Sequence, residues 1–257
     1  MKLRTIKNCI SAASAVLTAS LLLVSCFCFS EAKVGNIGAS VILEGATLSE
    51  TADAGAEYLS RMVFFGESTT AHLARIGGVL DTPAGRRQVW RDGSGTRMLE
   101  RRIFTSPIDD VEKNTSRTLS EMLEAYPPDI LVLSFGLNGA VGFYRDVDAF
   151  LANYRYLIEE IHRITPTTRI ILQSIYPVRN VDAFSVDGAT LNRYLMVLNE
   201  AIASLTTDFS YVRYADTASV LRDSDGALAS PYDSGDGIHL TNAAYEKILF
   251  YLRTHAW

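Results

Sequence analysis

Ser68 is a candidate nucleophile in the stretch FFGESTTAHL, directly after an apolar run at residues 62–65. A serine hydroxyl is barely ionised at neutral pH, so a nucleophilic serine needs a base beside it. The alternative is a structural role, because serine and threonine are preferred caps at the start of helices. Taken alone, the stretch favours the cap, and only partners elsewhere in the chain would change that interpretation.

An acid and an imidazole lie close together near the C-terminus, in the stretch YDSGDGIHLTNAAY. Asp236 and His239 are three residues apart, just before the last predicted helix. This spacing lets the carboxylate bind one imidazole nitrogen while the other nitrogen faces outward, as a general base requires. The alternative is a loop in which Asp236 and His239 only form hydrogen bonds with nearby backbone groups.

An asparagine follows a buried run in the stretch ILVLSFGLNGA, where Gly136 and Gly139 flank Asn138. Glycines allow the backbone to turn tightly, and an asparagine side-chain N–H can point toward a developing oxyanion. The alternative is a turn that contains asparagine because this residue tolerates the left-handed region. Asn138 is therefore a candidate donor that depends on its neighbours.

The elements that must position these residues alternate between strand-like and helix-like segments. Apolar runs of strand length lie at residues 62–65, 130–134, 169–175 and 211–214, with a weaker run at 88–90. Helical periodicity appears at residues 150–164, 191–205 and 242–253, the last capped by Thr241. This alternation predicts a three-layer α/β/α domain around a parallel sheet of about five strands. Ser68, Gly136 and Asn138 would then lie at the carboxyl ends of strands, where ligands bind in such sheets.

The three stretches together resemble the SGNH hydrolases, also called the GDSL esterase family, over roughly residues 60–257. FFGEST matches the serine block, FGLNGA the Gly-x-Asn block and DGIHLTNAAY the terminal Asp-x-x-His block, in the expected order. The α/β-hydrolases are not indicated, because Thr70 replaces the second glycine of their Gly-x-Ser-x-Gly elbow. Two departures from the resemblance are Glu67, where the family usually has Asp, and Gly139, where Asp commonly follows the asparagine.

The resemblance implies a role for each of these residues. Ser68 would be the nucleophile, His239 the base and Asp236 the acid that orients it. Asn138 and the backbone N–H of Ser68 would stabilise the oxyanion. A glycine N–H after the second strand would complete that site, and in the stretch VWRDGSGTRML we favour Gly95 over Gly93.

No metal or other cofactor is expected. The cysteines all lie within the first 28 residues, so the globular part has no thiolate metal site. The remaining histidines are poorer candidates than His239. We expect His72 to point away from Ser68 by about one turn, His162 to lie on a solvated helix face and His255 to lie in the terminal tail.

The sequence does not decide between several classes of ester substrate. The family contains esterases that act on acetylated sugars, phospholipids and thioesters, so O-acetylated polysaccharide and lysophospholipid are both alternatives. Phe143, Tyr144 and Tyr176 are aromatic candidates for the mouth of the site, although core packing is the commoner role of such side chains. A non-catalytic lipoprotein that binds a glycan in the same pocket is the alternative from another functional class.

The N-terminus predicts export. Lys2, Arg4 and Lys7 flank an uncharged stretch from residue 8 to residue 30. Residues 23–26 resemble a lipobox that would make Cys26 a lipid attachment site, while cleavage near residue 30 or an uncleaved membrane span are alternatives. Each outcome places the domain outside the cytoplasm.

Three segments are therefore expected along the chain: a signal or anchor at residues 1–32, a linker at 33–58 that packs little, and the catalytic domain at 59–257. The formal net charge is −5, and no basic stripe of the kind that binds nucleic acid is present. The expected partners are a small-molecule or glycan ester and, through the N-terminus, a membrane.

Overall fold

The computed structural model describes residues 46–92, 95, 97–140, 146–179 and 187–257. The strands within these residues are β1 (Met62–Gly66), β2 (Val89–Trp90), β3 (Pro107–Asp110), β4 (Thr115–Thr118), β5 (Ile130–Ser134), β6 (Arg169–Gln173) and β7 (Val212–Ala215). The α-helices are α1 (Gly55–Ser60), α2 (Ser68–Ala71), α3 (Pro83–Arg87), α4 (Leu119–Ala125), α5 (Leu137–Ala140), α6 (Val147–Ile164), α7 (Gly188–Ser204) and α8 (Asn242–Thr254).

Five strands form one parallel sheet in the order β2-β1-β5-β6-β7. β1 and β5 pair along their whole length, so Gly66 lies opposite Ser134 at their carboxyl ends. All five residues of β5 are buried, which explains why its sequence is a continuous apolar run rather than an alternating one. The predicted five-stranded parallel sheet is confirmed.

Successive residues of each strand point to opposite faces of the sheet, and helices cover both faces. Phe65 and Leu131 belong to one buried cluster, together with apolar side chains of α4, α6 and α7. Phe64 and Val132, their chain neighbours, belong to the other cluster, which contains side chains of α8. The result is the three-layer α/β/α arrangement that the sequence predicts.

A second, two-stranded antiparallel sheet joins β3 to β4, with Ile108 opposite Arg117. The sequence does not predict this sheet, because the two strands read PIDD and TSRT and carry little apolar pattern. The buried Asp110 carboxylate supports the turn, since it accepts hydrogen bonds from Arg117 Nε at 2.6 Å and the Glu112 backbone N–H at 3.1 Å. The hairpin thus combines these hydrogen bonds with the burial of one apolar side chain, Ile108.

The predicted linker at residues 33–58 needs a correction within its described part. Leu48 and Tyr58 are buried in the same cluster as α8, and Thr47 pairs with Tyr214 at the outer edge of β7. Residues 46–58 therefore pack against the domain, because they supply apolar side chains and cover a sheet edge. The predicted signal or anchor segment and residues 33–45 lie outside the described residues. Among the described helices, none combines the length and apolar character needed to cross a bilayer.

Candidate active site

Ser68 is the first residue of α2, immediately beyond the carboxyl end of β1. The chain can turn here because β1 ends in Gly66, where a Cβ would overlap the Ser134 carbonyl oxygen and the Thr70 hydroxyl. Glu67, not Ser68, occupies the N-cap position. The Ser68 hydroxyl is therefore not used as a helix cap, and its backbone N–H has no acceptor within the helix.

Three side chains from distant parts of the sequence meet at this point. His239 Nε2 lies 3.0 Å from Ser68 Oγ, and His239 Nδ1 lies 2.6 Å from Asp236 Oδ2. Both distances are within hydrogen-bond range, so each ring nitrogen has one partner. The structure thus brings together the predicted serine, histidine and aspartate in the order that proton transfer from the serine requires.

Asp236 is held as a carboxylate by several donors. Its Oδ1 accepts the backbone N–H groups of Ile238 at 3.0 Å and His239 at 2.8 Å, while its Oδ2 faces the His239 ring. Burial alone would raise the pKa of Asp236, but the hydrogen bonds from the His239 ring and from these N–H groups outweigh it and lower the pKa to about 2. Asp236 therefore stays ionised at neutral pH.

The loop before α8 has its own internal support. Asp233 Oδ1 accepts the N–H groups of Gly235 at 2.8 Å and Gly237 at 2.9 Å. Thr241 caps α8, as predicted, and the Tyr245 hydroxyl of that helix donates to the Thr69 carbonyl at 2.6 Å. The last bond joins the helix that follows His239 to the helix that carries Ser68.

Asn138 lies in α5, just beyond the carboxyl end of the neighbouring strand β5. Its side-chain Nδ2 donates to the Arg97 carbonyl at 2.8 Å, which uses one of its two N–H groups. Gly136 starts this turn at φ +140°, and a Cβ there would overlap the Ile175 side chain. The glycine is therefore required by both backbone conformation and space.

Glu67 connects the serine segment to the asparagine segment. Its Oε1 accepts the Gly136 N–H at 2.8 Å and its Oε2 accepts the Asn138 N–H at 3.0 Å. The side chain is only 3% exposed, and this burial raises its pKa to about 7 although the backbone donors oppose the shift. In the sequence Glu67 stands out only as a departure from the family pattern, whereas in the structure its carboxylate holds the Asn138 turn.

Comparison with known proteins agrees with this geometry. The model of the GDSL-like lipase/acylhydrolase family matches residues 64–247, well over half of the chain. The chain belongs to the GDSL-like lipase/acylhydrolase family. It is therefore an acylhydrolase, a member of a family of ester-hydrolysing enzymes. No curated protein matches the chain significantly.

Solved structures share the fold of this acylhydrolase. A GDSL-like lipase from Bacteroides thetaiotaomicron aligns with a TM-score of 0.53 at 16% identity, covering 77% of this chain and 88% of that one. A protein described as an acylhydrolase from Bacteroides fragilis aligns with a TM-score of 0.55 at 16% identity, covering 81% and 89%. A protein described as an SGNH hydrolase from Slackia heliotrinireducens aligns with a TM-score of 0.51 at 15% identity, covering 76% of this chain and 97% of that one.

The backbone N–H of Gly95 has a different partner from the one expected in this GDSL-like acylhydrolase. It donates to Asp92, to the side-chain Oδ1 at 2.9 Å and to the carbonyl oxygen at 3.2 Å. The structure therefore does not present it as a free oxyanion donor. Its loop still lies beside the serine helix, because a Cβ on Gly95 would be 3.4 Å from Ala71 Cβ. Gly93 lies outside the described residues.

His72 corrects a second expectation. Its ring centroid lies 4.5 Å from that of His239, with an angle of 31° between the ring planes. His72 lies four positions after Ser68, and residues four apart share one face of a helix, so the predicted orientation away from Ser68 is wrong. This spacing was a readable signal in the sequence.

The other aromatic candidates do not reach the site within the described residues. Tyr176 is buried, and its hydroxyl accepts from Gln173 Nε2 at 2.7 Å, so it packs in the core instead of lining the mouth. His162 stacks on Tyr211 at 3.7 Å rather than lying free on a solvated face. His255 stacks on the ring of Tyr251, one turn earlier in α8. Phe143 and Tyr144 lie outside the described residues, and no cluster of three metal-ligating side chains occurs in the described part.

Proposed function

We propose that this acylhydrolase cleaves carboxylic esters with Ser68 as nucleophile, His239 as general base and Asp236 as the acid that orients the base. The observation that supports these roles is the continuous set of contacts from Asp236 Oδ2 through both ring nitrogens of His239 to Ser68 Oγ. Contacts of 2.6 and 3.0 Å are short enough for proton transfer along this line.

In the acylation step, Ser68 Oγ attacks the ester carbonyl carbon while His239 Nε2 accepts the serine proton. The carbonyl oxygen becomes an oxyanion, which the Ser68 backbone N–H and the second side-chain N–H of Asn138 stabilise. The C–O bond then breaks, and His239 returns the proton to the departing alcohol. Water attacks the acyl-enzyme in the same way, releasing the acid and restoring Ser68.

For the substrate, we propose an O-acetyl ester carried by a cell-surface or environmental polysaccharide. The triad lies at the protein surface, since the side chains of His239 and Asp236 are 26% and 51% exposed. Such an open site suits an ester on a large polymer, which reaches the serine without entering a deep cavity. The predicted export segment supports the same class, because it would place the enzyme beside surface glycans.

The proposed location is outside the cytoplasm, with Cys26 carrying a lipid anchor. The basic flank, the uncharged stretch and the lipobox-like residues 23–26 support this proposal. Cys26→Ser should release the protein from the membrane fraction or block its processing. Unchanged fractionation and unchanged size of the Cys26→Ser protein would contradict the lipid anchor.

Hydrolysis of p-nitrophenyl esters of increasing acyl length tests the proposed reaction. Ser68→Ala should lower kcat by at least about a thousandfold, because the remaining residues cannot form an acyl-enzyme. Ser204→Ala, which removes an exposed hydroxyl bonded to the Ala201 carbonyl, is the matched control and should leave turnover unchanged. Acetyl esters should be preferred over longer ones.

Three results would contradict the proposal. Equal turnover by wild type and Ser68→Ala would remove Ser68 from the mechanism. A wild-type protein that binds acetylated glycan but hydrolyses no ester would instead favour a binding protein, and preference for long acyl chains would favour a lipid hydrolase.

A further inference from the structure

His72 lies against the ring of the proposed general base. A centroid separation of 4.5 Å with a tilt of only 31° requires one ring to cover part of the face of the other. His72 directly follows α2, and its backbone N–H donates to the Ser68 carbonyl. One helical turn therefore carries both the hydroxyl that His239 deprotonates and the ring that packs on His239.

The two hydrogen bonds of His239 act in the plane of its ring, one at each nitrogen. The bond to Ser68 Oγ is lost when that oxygen carries an acyl group, which leaves Asp236 as the remaining partner. Asp236 lies in a loop and is half exposed. Rotation of the ring out of the productive plane must then be limited by a contact on its face.

His72 has the charge state that such a contact requires. Burial, followed by the charges of His239 and Arg75, lowers the pKa of His72 to about 4, against the opposing effect of Asp236, and Arg91 adds to the lowering. The His72 ring is therefore neutral at neutral pH, while His239 accepts the serine proton in the proposed mechanism. A second cation at this position would repel the imidazolium, whereas a neutral ring does not.

The Nδ1 atom of His72 is buried and makes no hydrogen bond within the described residues. A buried polar atom without a partner costs free energy, so this histidine is not placed here for a hydrogen bond at Nδ1. The contact that the structure does show is the packing of the flat His72 ring on His239.

We infer that His72 is a positioning residue, whose neutral ring packs on His239 and keeps Nε2 directed at the reacting oxygen of Ser68 throughout the acylation and deacylation steps. The inference rests on the proposed function, because it assigns His239 the role of base. It adds a member to the site that the Ser-His-Asp arrangement does not include.

Kinetics of the full-length protein with p-nitrophenyl acetate test the inference. His72→Ala removes the ring, and kcat should fall about ten- to hundredfold, because a small displacement of a catalytic group has an effect of this order. KM should stay within about twofold, since a positioning residue acts on His239 and not on substrate binding. His72→Phe retains a neutral flat ring and should restore kcat to within about threefold of the wild type.

Labelling of Ser68 by a serine-directed phosphonate gives a second readout that does not depend on the natural substrate. The labelling rate should fall in His72→Ala and recover in His72→Phe, while the thermal unfolding midpoint shows that each variant is folded. His72→Leu replaces His72→Ala where the alanine variant does not fold, because leucine fills the space without a flat ring. It should lower kcat more than His72→Phe does.

His162→Ala is the matched control. His162 also stacks on a ring, and its buried Nδ1 also has no partner in the described part of the chain, but its ring contact is with Tyr211. Its loss should lower stability and leave kcat unchanged.

Unchanged kcat and labelling in the ringless variant would overturn the role of His72. So would a folded His72→Phe that loses as much activity as His72→Ala, since that result would assign the function to the nitrogen atoms. A wild type whose Ser68 is neither labelled nor needed for hydrolysis would overturn the proposed function, and this inference with it.

Discussion

Glu67 and Ser68 are bonded neighbours whose side chains serve different parts of the site. Ser68 faces His239, while the Glu67 carboxylate turns inward and accepts two N–H groups of the Asn138 turn. The distance between the proposed nucleophile and the proposed oxyanion donor is therefore set by the single side chain of Glu67. Asn138 is fixed a second time through its side chain, which donates to the Arg97 carbonyl.

Glu67 should make the stability of the fold depend on pH. Its pKa is raised from 4.5 to about 7 in the folded protein, so the folded state binds the proton more tightly than the unfolded chain. The stabilisation is fully present below about 4.5 and is lost as the pH rises through about 7. Between these values, the unfolding free energy of the wild type should therefore fall relative to that of Glu67→Gln, whose amide does not titrate.

Urea unfolding of both proteins at several pH values measures this difference. Glu67→Gln should also lower kcat, because its amide nitrogen cannot accept the second backbone N–H and leaves that buried donor unpaired. Glu67→Asp is the conservative control and keeps both acceptor oxygens on a shorter side chain. Parallel stability curves for wild type and Glu67→Gln would mean that Glu67 does not titrate in this range.

Single residues differed in how well the sequence predicted them. Asp236 and His239 were predictable because both lie in one short loop, where spacing restricts geometry. The contact of His72 with His239 joins residues that are far apart in sequence, although the four-residue step from Ser68 already indicated the correct face. The Gly95 N–H was not predictable, since its direction depends on the Asp92 side chain and on the positive φ of +61°.

At the scale of elements, the site lies where the order of strands changes direction. After β1 the chain forms β2 on one side of it, and β5 then takes the opposite side. Ligands bind in the crevice at such a switch point, outside the carboxyl ends of the strands. Ser68 follows β1 and Asn138 follows β5, so the two sides of the crevice supply the proposed nucleophile and the proposed oxyanion donor.

The elements that the sequence predicted are those with a strong apolar pattern. β5 and α6 are buried along a continuous run or a regular helical face, and their positions agree with the prediction. The β3–β4 hairpin was not predictable because its strands carry one buried apolar side chain, Ile108, and its turn depends on the hydrogen bonds of Asp110. Polar contacts of this kind depend on a turn that only the folded chain reveals.

At the scale of the whole molecule, the segment before α1 completes the domain. The Leu48 N–H donates to the Tyr214 carbonyl at 2.8 Å, and the Tyr214 N–H donates to the Ala46 carbonyl at 3.0 Å. The Asp53 carboxylate also pairs with the Arg253 guanidinium of α8. The N-terminal part of the described chain is therefore joined to both β7 and the last helix.

Truncation should show that the packed domain begins before residue 59. Residues 42–257 form a compact unit, and a protein of these residues should retain both turnover and unfolding free energy. A protein of residues 59–257 loses Leu48 and Tyr58 from the core, and each buried side chain of this size contributes about 1.5–3 kcal/mol. It also exposes the edge of β7. We expect the shorter protein to unfold with a free energy lower by about 3–6 kcal/mol, measured in urea, and to aggregate more readily. Equal stability of the two proteins would mean that residues 46–58 act as a linker after all.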